Sequence, residues 1–219
     1  GSECDECTDS DSCTDCAVGY FVESIPLSWT QAGSTLLGEA ANDNFGVSVS
    51  LSTDGQRLAV GGSSNNSTTG HVRVFQWSDS AWVQLGADID GEAIYDAFGR
   101  TLSLSADGTR VAVGAYGNDS NGNSYAGHAR VYEWNENSST WTQLGVDLDG
   151  DAAGDRAGWS VSLSGDGTRL AVGHLQSDGN GLSNSGRARV FEWNGSAWTQ
   201  LSMDIGPPWA ATQSQYAHP

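Results

Sequence analysis

The sequence predicts an all-β protein made of three four-stranded antiparallel units in tandem, with a surplus N-terminal strand and a small cysteine-rich segment ahead of them. Three observations carry this prediction. A block of about fifty-five residues recurs three times, a period that belongs to stacked supersecondary units. Within each block, apolar and hydroxyl residues alternate with a period of two, the pattern of a strand with two different faces. The composition is turn-rich, with 29 Gly in 219 residues and aromatics concentrated in nine Trp, which suits thin β layers better than a helical bundle.

The elements follow in order. Residues 1–24 hold all four cysteines, Cys4, Cys7, Cys13 and Cys16, at the spacing C-x2-C-x5-C-x2-C. Two CxxC pairs can hold zinc in a tetrahedral thiolate site. The intervening Thr8-Asp9-Ser10-Asp11-Ser12 offers none of the apolar support of a zinc ribbon. Two disulfides in a small secreted module are the preferred reading, with Cys4–Cys13 and Cys7–Cys16 the favoured pairing, although spacing leaves the connectivity open. Residues 25–205 hold the repeats. Trp29-Thr30-Gln31-Ala32-Gly33 matches Trp82-Val83-Gln84-Leu85-Gly86, so residues 29–37 read as a fourth strand without its own first three.

The units are residues 38–90, 91–149 and 150–205. In the first, Val47, Val49 and Leu51 alternate with Ser48, Ser50 and Ser52, giving one apolar and one hydroxyl face. Asp54-Gly55, Asp107-Gly108 and Asp166-Gly167 supply the pair that type I′ hairpins prefer. Leu58-Ala59-Val60-Gly61 and its copies are apolar on both faces, as in a strand sandwiched between sheets. A polar loop of variable length leads to a third strand over 72–77, and Trp82-Val83-Gln84-Leu85 forms the fourth, its Trp and Leu covering the outer edge. Four antiparallel strands and a longer link to the next unit describe a β-propeller blade. At Gly206-Pro207-Pro208-Trp209 the frame breaks into a polar tail, 206–219.

The phrases Phe45-Gly46-Val47-Ser48-Val49, Leu58-Ala59-Val60-Gly61-Gly62 and Val72-Arg73-Val74-Phe75 resemble the FG-GAP repeats of the integrin α-subunit propeller, and more closely the FG-GAP-like repeats of large secreted algal and bacterial proteins. The phrase Cys13-Thr14-Asp15-Cys16-Ala17-Val18-Gly19-Tyr20-Phe21 resembles extracellular EGF-like repeats. The resemblance implies an extracellular or cell-surface protein. In the integrin type a D-x-D-x-D-G loop between the first two strands binds calcium, whereas this chain has one Asp there in each unit. One Asp cannot supply the six to eight oxygens of a calcium site, so that site is not carried over.

Charge excludes one class of partner. Nine Arg and no Lys stand against 27 acidic residues, a net charge of −18, and nucleic-acid binding needs a basic surface. No stretch is long and apolar enough for a membrane-spanning helix. Calcium remains a candidate cofactor at two other loops, Asp88, Asp90 and Asp96, and their copies Asp147, Asp149 and Asp155. The first unit has lost the paired Asp, reading Thr35-Leu36-Leu37, which favours a turn whose carboxylates cap backbone N–H groups. The Arg at repeat positions pair across strands with acids such as Glu133 and Glu192. His71 and His128 share a position that Arg187 fills in the third unit, so it is no site for a catalytic base.

Five sequons, at Asn65, Asn66, Asn118, Asn137 and Asn194, fall in loops and turns and mark N-glycan sites, with Asn118 and Asn137 the leading ones. No G-x-S-x-G elbow, phosphate loop or HExxH is present, and the expectation is a protein that is not an enzyme. Propellers usually close with about four blades or more. Three blades and a spare strand therefore predict assembly with other copies, or with further blades of a longer protein, through the Trp29-Thr30-Gln31 strand or the Pro207-Pro208-Trp209 tail. The expected function is an extracellular structural or adhesive scaffold. The alternative is a carbohydrate- or ligand-binding module using exposed aromatics such as Tyr116 and Trp159.

Overall fold

The structure, a computed structural model, describes residues 29–64, 68–178 and 182–201. The chain divides into two compact units, Gly1–Gln31 and Ala32–Pro219. Of the first unit only residues 29–31 are described; they lie outside any strand, and Trp29 is fully exposed. Cys4, Cys7, Cys13 and Cys16 lie outside the described residues, as do Pro207, Pro208 and Trp209.

The second unit is all-β, with three antiparallel sheets that do not close into a ring. The first sheet contains β1 (Phe45–Leu51), β2 (Arg57–Gly62), β3 (His71–Ser78), β4 (Ala81–Gln84) and β5 (Ile89–Asp90). The second contains β6 (Thr101–Leu104), β7 (Arg110–Ala115), β8 (His128–Asn135), β9 (Thr140–Gln143) and β10 (Leu148–Asp149), and the third β11 (Ala157–Leu163), β12 (Arg169–His174), β13 (Arg187–Trp193) and β14 (Trp198–Gln200). Helix enters the β7–β8 loop as a 3-10 turn, Ser120–Gly122.

The outer strand differs from expectation. It is interrupted: β4 pairs with the end of β3, and after residues 85–88 the chain returns as β5 to pair with its beginning. The second sheet repeats this with β9 and β10. The interruption has a steric cause. Gly86 takes φ +80°, and a Cβ there would stand 2.8 Å from the Trp134 ring of the next sheet. The chain bends out of the ladder to seat its glycine on that indole.

Residues 29–37 are not the expected strand. Strand pairing needs an adjacent ladder, and among the described residues no strand lies beside them in a sheet. What survives is the glycine contact: Gly33 sits against Trp77 and Trp82 as Gly86 sits against Trp134 and Trp141.

The hairpin turns also depart from type I′, which needs positive φ at both central residues. Gly55 is positive at +68°, but Asp54 is not. Gly55 N–H donates to Ser52 O at 2.9 Å, and the Asp54 carboxylate accepts from the Ser52 hydroxyl at 2.5 Å and from Gln56 N–H at 2.9 Å. The Ser52 hydroxyl bond, with the Gln56 amide, holds the Asp54 carboxyl below its ordinary value, and the same geometry holds Asp166 at about 2. These carboxylates are spent on their own turns, so they do not fit the calcium loop of integrin-type repeats.

The core lies between sheets, which explains why β2 and its copies are apolar on both faces. One cluster joins Val72 and Val74 of the first sheet to Leu102, Leu104 and Val113 of the second. The other joins Val131 of the second to Leu163, Leu170 and Val172 of the third. The alternation in the first strand of each sheet has a matching purpose. The hydroxyl face turns toward the following sheet: Ser48 Oγ donates to Gly99 O at 2.7 Å, and Ser50 Oγ accepts from Leu104 N–H at 3.0 Å. Ser103 accepts from Leu163 N–H at 3.1 Å across the next seam. Side-chain hydroxyls thereby satisfy backbone groups that a sheet-to-sheet contact would otherwise bury unpaired.

Candidate functional site

At the end of the sheets where links and β2–β3-type loops emerge, Tyr95, Tyr116 and Tyr125 gather with Arg100, Asn44 and Ser64 around a cleft of about 370 Å³. Tyr95 comes from the link into the second sheet, and Tyr116 and Tyr125 from the β7–β8 loop. Two of these tyrosines sit in the left-handed region, Tyr95 at φ +75° and Tyr125 at +56°, a conformation that bulky residues rarely adopt and that surrounding structure must hold.

The holding groups are visible. Asp96, almost fully buried, accepts from Ala93 N–H at 3.0 Å and from the Asn118 side-chain amide at 3.0 Å. Ala97 N–H donates to Thr68 O at 3.0 Å. Gly117 lies so close to Tyr95 O that a side chain there would collide with it. Tyr125 N–H donates to the Asp119 carboxylate at 2.9 Å, and Arg156 N–H to Tyr125 O at 3.0 Å. Behind the cleft, the Trp159 ring meets Tyr116 edge-on at 4.8 Å, and the Arg156 guanidinium lies over Trp159 at 5.9 Å.

The electrostatics of this region are unlike the rest of the molecule. Seven of the nine arginines are ion-paired: Arg57, Arg73, Arg110, Arg130, Arg169, Arg187 and Arg189. Among the described residues Arg100 and Arg156 have no carboxylate partner, and no acidic side chain lines the tyrosine cleft. The sequence pointed to Tyr116 and Trp159 but missed Arg100, Tyr95 and Tyr125. The missed signal lay in repeat alignment, because Arg100 takes the position of Val47 and Trp159 in the other units.

The predicted cross-strand pairing with acids holds for two arginines, whereas Arg57 donates to Gln76 across the strand at 2.9 Å and pairs with Glu136 of the second sheet's turn at 3.0 Å. Arg110 bonds Glu133 at 2.7 Å and Arg169 bonds Glu192 at 3.1 Å across strands. The other set turns to acids of the links: Arg73 to Glu39 at 3.6 Å, Arg130 to Glu92, and Arg189 to Asp151.

The predicted calcium residues are brought together only in part. Asp88 is held by Gln84 at 2.7 Å, Asp90 lies in β5 opposite His71, and Asp96 caps its own turn. Asp147 binds Arg130 at 2.6 Å, Asp149 accepts from Asn121 at 3.1 Å, and Asp155 caps Asp151 N–H and pairs with Arg187 at 2.9 Å. Capping, the alternative reading of these loops, is what Asp96 and Asp155 do. Among the described residues one triad could hold a metal, with ligand atoms of Glu92, His128 and Asp147 all within 4.8 Å of one another. Arg130 already binds both carboxylates. Burial, with the Arg130 charge beside it, keeps the His128 imidazole below its ordinary pKa.

The sequons separate. Asn65 and Asn66 lie outside the described residues, and Asn137 and Asn194 are exposed in turns. Asn118 corrects the expectation: it is buried, its amide donates to Asp96, and its carbonyl accepts from Ser120 Oγ at 2.7 Å. It is an internal strut, with no room for a glycan.

No protein-family model matches the chain, and no curated protein matches it. Solved structures of propeller-like fold do. A Bacteroides fragilis protein provisionally assigned as a 6-phosphogluconolactonase is 16% identical over 71% of this chain and 37% of its own, with a TM-score of 0.47. Its Bacteroides uniformis counterpart, assigned in the same way, is 14% identical over 72% and 39%, with a TM-score of 0.48. TolB of Acinetobacter baumannii is 17% identical over 74% and 33%, with a TM-score of 0.41. The chain therefore spans little more than a third of these proteins. The expectation of a protein that is not an enzyme is corrected here, because proteins provisionally assigned as enzymes share this kind of architecture. The absence of nucleophile and phosphate motifs does not place the chain outside enzymes. At these identities and TM-scores no activity is carried across.

Proposed function

We propose that this chain is an extracellular or cell-surface structural and adhesive repeat protein of the FG-GAP-like kind, whose blade stack is continued by other copies joined head to tail, into a filament or a composite propeller. The supporting observation is a pair of open sheet faces that match each other. Leu51, Leu104 and Leu163 share one repeat position; Leu104 and Leu163 are 7% and 8% exposed against the preceding sheet, while Leu51 is 57% exposed. Val49 beside it is 63% exposed. Fully burying such a side chain contributes roughly 1.5–3 kcal/mol.

The third sheet is open on the opposite face. Arg57 and Arg110 reach the turn glycine of the next sheet, donating to Gly108 O at 3.3 Å and Gly167 O at 3.0 Å. Among the described residues Arg169 has no such sheet to reach, and its side chain is 61% exposed against 15% and 18% for the other two. Ser162, the copy of Ser50, is exposed. The face that the third sheet offers is the one with which the first sheet covers the second. A contact of this kind is heterologous and grows until its rotation closes.

The open surfaces are sheet faces, which shifts the assembly element away from the Trp29 segment. The net charge of −18 opposes close approach of copies, so salt strengthens the association by screening. Calcium has no part in this reading: Asp96 and Asp155 cap their turns, Asp147 and Asp155 pair with arginines, and Asp88 and Asp149 accept from side-chain amides. The experiment is multi-angle light scattering over a concentration series at two salt levels. A mass that rises with concentration and with salt supports the reading, and a single-chain mass throughout contradicts it.

A further inference from the structure

We infer that the tyrosine cleft binds an acidic sugar, a monosaccharide or disaccharide carrying a carboxylate or sulfate group. The inference does not depend on self-assembly, because the cleft is built within one copy. Three features converge on it. The first is shape. At about 370 Å³ the opening sits at the small end of the range for ligand sites. It is formed by Tyr95 and Tyr125, which are exposed, and by Tyr116, which is half-buried and braced from behind by Trp159.

The second feature is surface chemistry. A tyrosine ring presents a flat apolar face with a polar tip, the complement of a pyranose whose C–H groups lie on its faces and whose hydroxyls lie on its rim. Asn44 and Ser64, joined by a 2.8 Å hydrogen bond, supply polar groups at the wall toward the first sheet. The cleft therefore offers stacking surfaces and hydrogen-bonding groups together.

The third feature selects charge. In a chain with 27 acidic residues the cleft has, among the described residues, no carboxylate in its lining, and it holds Arg100 with no ion-pair partner among them. Arg156, the other arginine without a carboxylate partner, lies over Trp159 immediately behind. A guanidinium binds a carboxylate or sulfate through paired N–H donors. Elsewhere the chain's own acids take that role; here it is left for a ligand.

The test is titration of the full chain, followed by NMR or calorimetry. The probes are digalacturonate, dimannuronate and galactose 6-sulfate, each beside its neutral counterpart, with inorganic sulfate as a control. The expected result is saturable binding of at least one acidic sugar, about tenfold tighter than its neutral counterpart and than sulfate alone. Arg100→Gln removes that preference while weaker sugar binding remains. Tyr116→Ala weakens acidic and neutral sugars alike, with circular dichroism confirming the fold of both variants. Equal affinity for acidic and neutral sugars, equal affinity for sulfate alone, or no saturable binding up to about 10 mM of any probe overturns the assignment.

Discussion

The indole Nε1–H of Trp141 donates to the backbone carbonyl of Leu85 at 2.9 Å, across the seam between the first and second sheets. Trp198 repeats the bond to Leu144 O at 2.8 Å across the next seam. Each tryptophan also meets a partner from its own β3-type strand, Trp134 for Trp141 at 5.4 Å and Trp193 for Trp198 at 5.5 Å. The glycine after the bonded leucine seats on that same ring pair. Sheets are thus stitched at the outer rim by an indole bond and at the inner strands by serine hydroxyls, with the apolar core between.

Trp141→Phe keeps an aromatic ring and removes the bond. It leaves the Leu85 carbonyl without its donor, and the expected loss is about 1–2 kcal/mol. Thermal unfolding followed by circular dichroism reads the change. A variant as stable as the parent shows that the rim bond contributes nothing.

Stability depends on pH through buried imidazoles. Burial first, then the charges of Arg187 and Arg189, hold His174 at about 4 against 6.5 for a free imidazole. The unfolded chain binds this proton below pH 6.5 and the folded chain only near pH 4, so the unfolded state carries more protons in between. The contribution is present in full above pH 6.5 and is lost as pH falls toward 4, by up to about 3 kcal/mol. The second sheet carries Ala115 at the same repeat position, so His174→Ala is a substitution the blade accommodates. It flattens the fall in melting temperature between pH 6.5 and 4. An unchanged slope rules out His174 as a source of it.

Glycan occupancy follows burial. When the chain is secreted from a eukaryotic host, glycopeptide mass spectrometry of the folded product finds modification at Asn137 and none at Asn118. A glycan on Asn118 in folded protein contradicts the buried strut described above.

The sequence was legible where the repeat enforced it. The alternation of Val47, Val49 and Leu51 with serines showed β1 and its two faces, and the doubly apolar run at Leu58 showed a strand between sheets. The interruption between β4 and β5 was hidden, because it arises from Gly86 meeting an indole nearly fifty residues downstream, a contact that no local pattern announces. Residues 29–37 misled for a related reason: their strand pattern copies β4, but a strand forms only beside a partner. The site was half legible. Tyr116 and Trp159 stood out as aromatics, while Arg100 looked like any arginine until the structure showed which of its kin were already paired. Asn118 read as a loop sequon because burial by Asp96 depends on two segments meeting.

The most direct test of the proposed assembly is sedimentation equilibrium of the parent chain beside two variants, Leu51→Asp on the open face of β1 and Val83→Asp on β4. Both residues are exposed and apolar, at 57% and 54%, but only Leu51 belongs to the face that continues the stack. The account predicts that the parent and Val83→Asp associate alike, and that Leu51→Asp remains a single chain with an unchanged circular dichroism spectrum. A parent that sediments as a single chain at every concentration, or a Leu51→Asp variant that associates as the parent does, contradicts it.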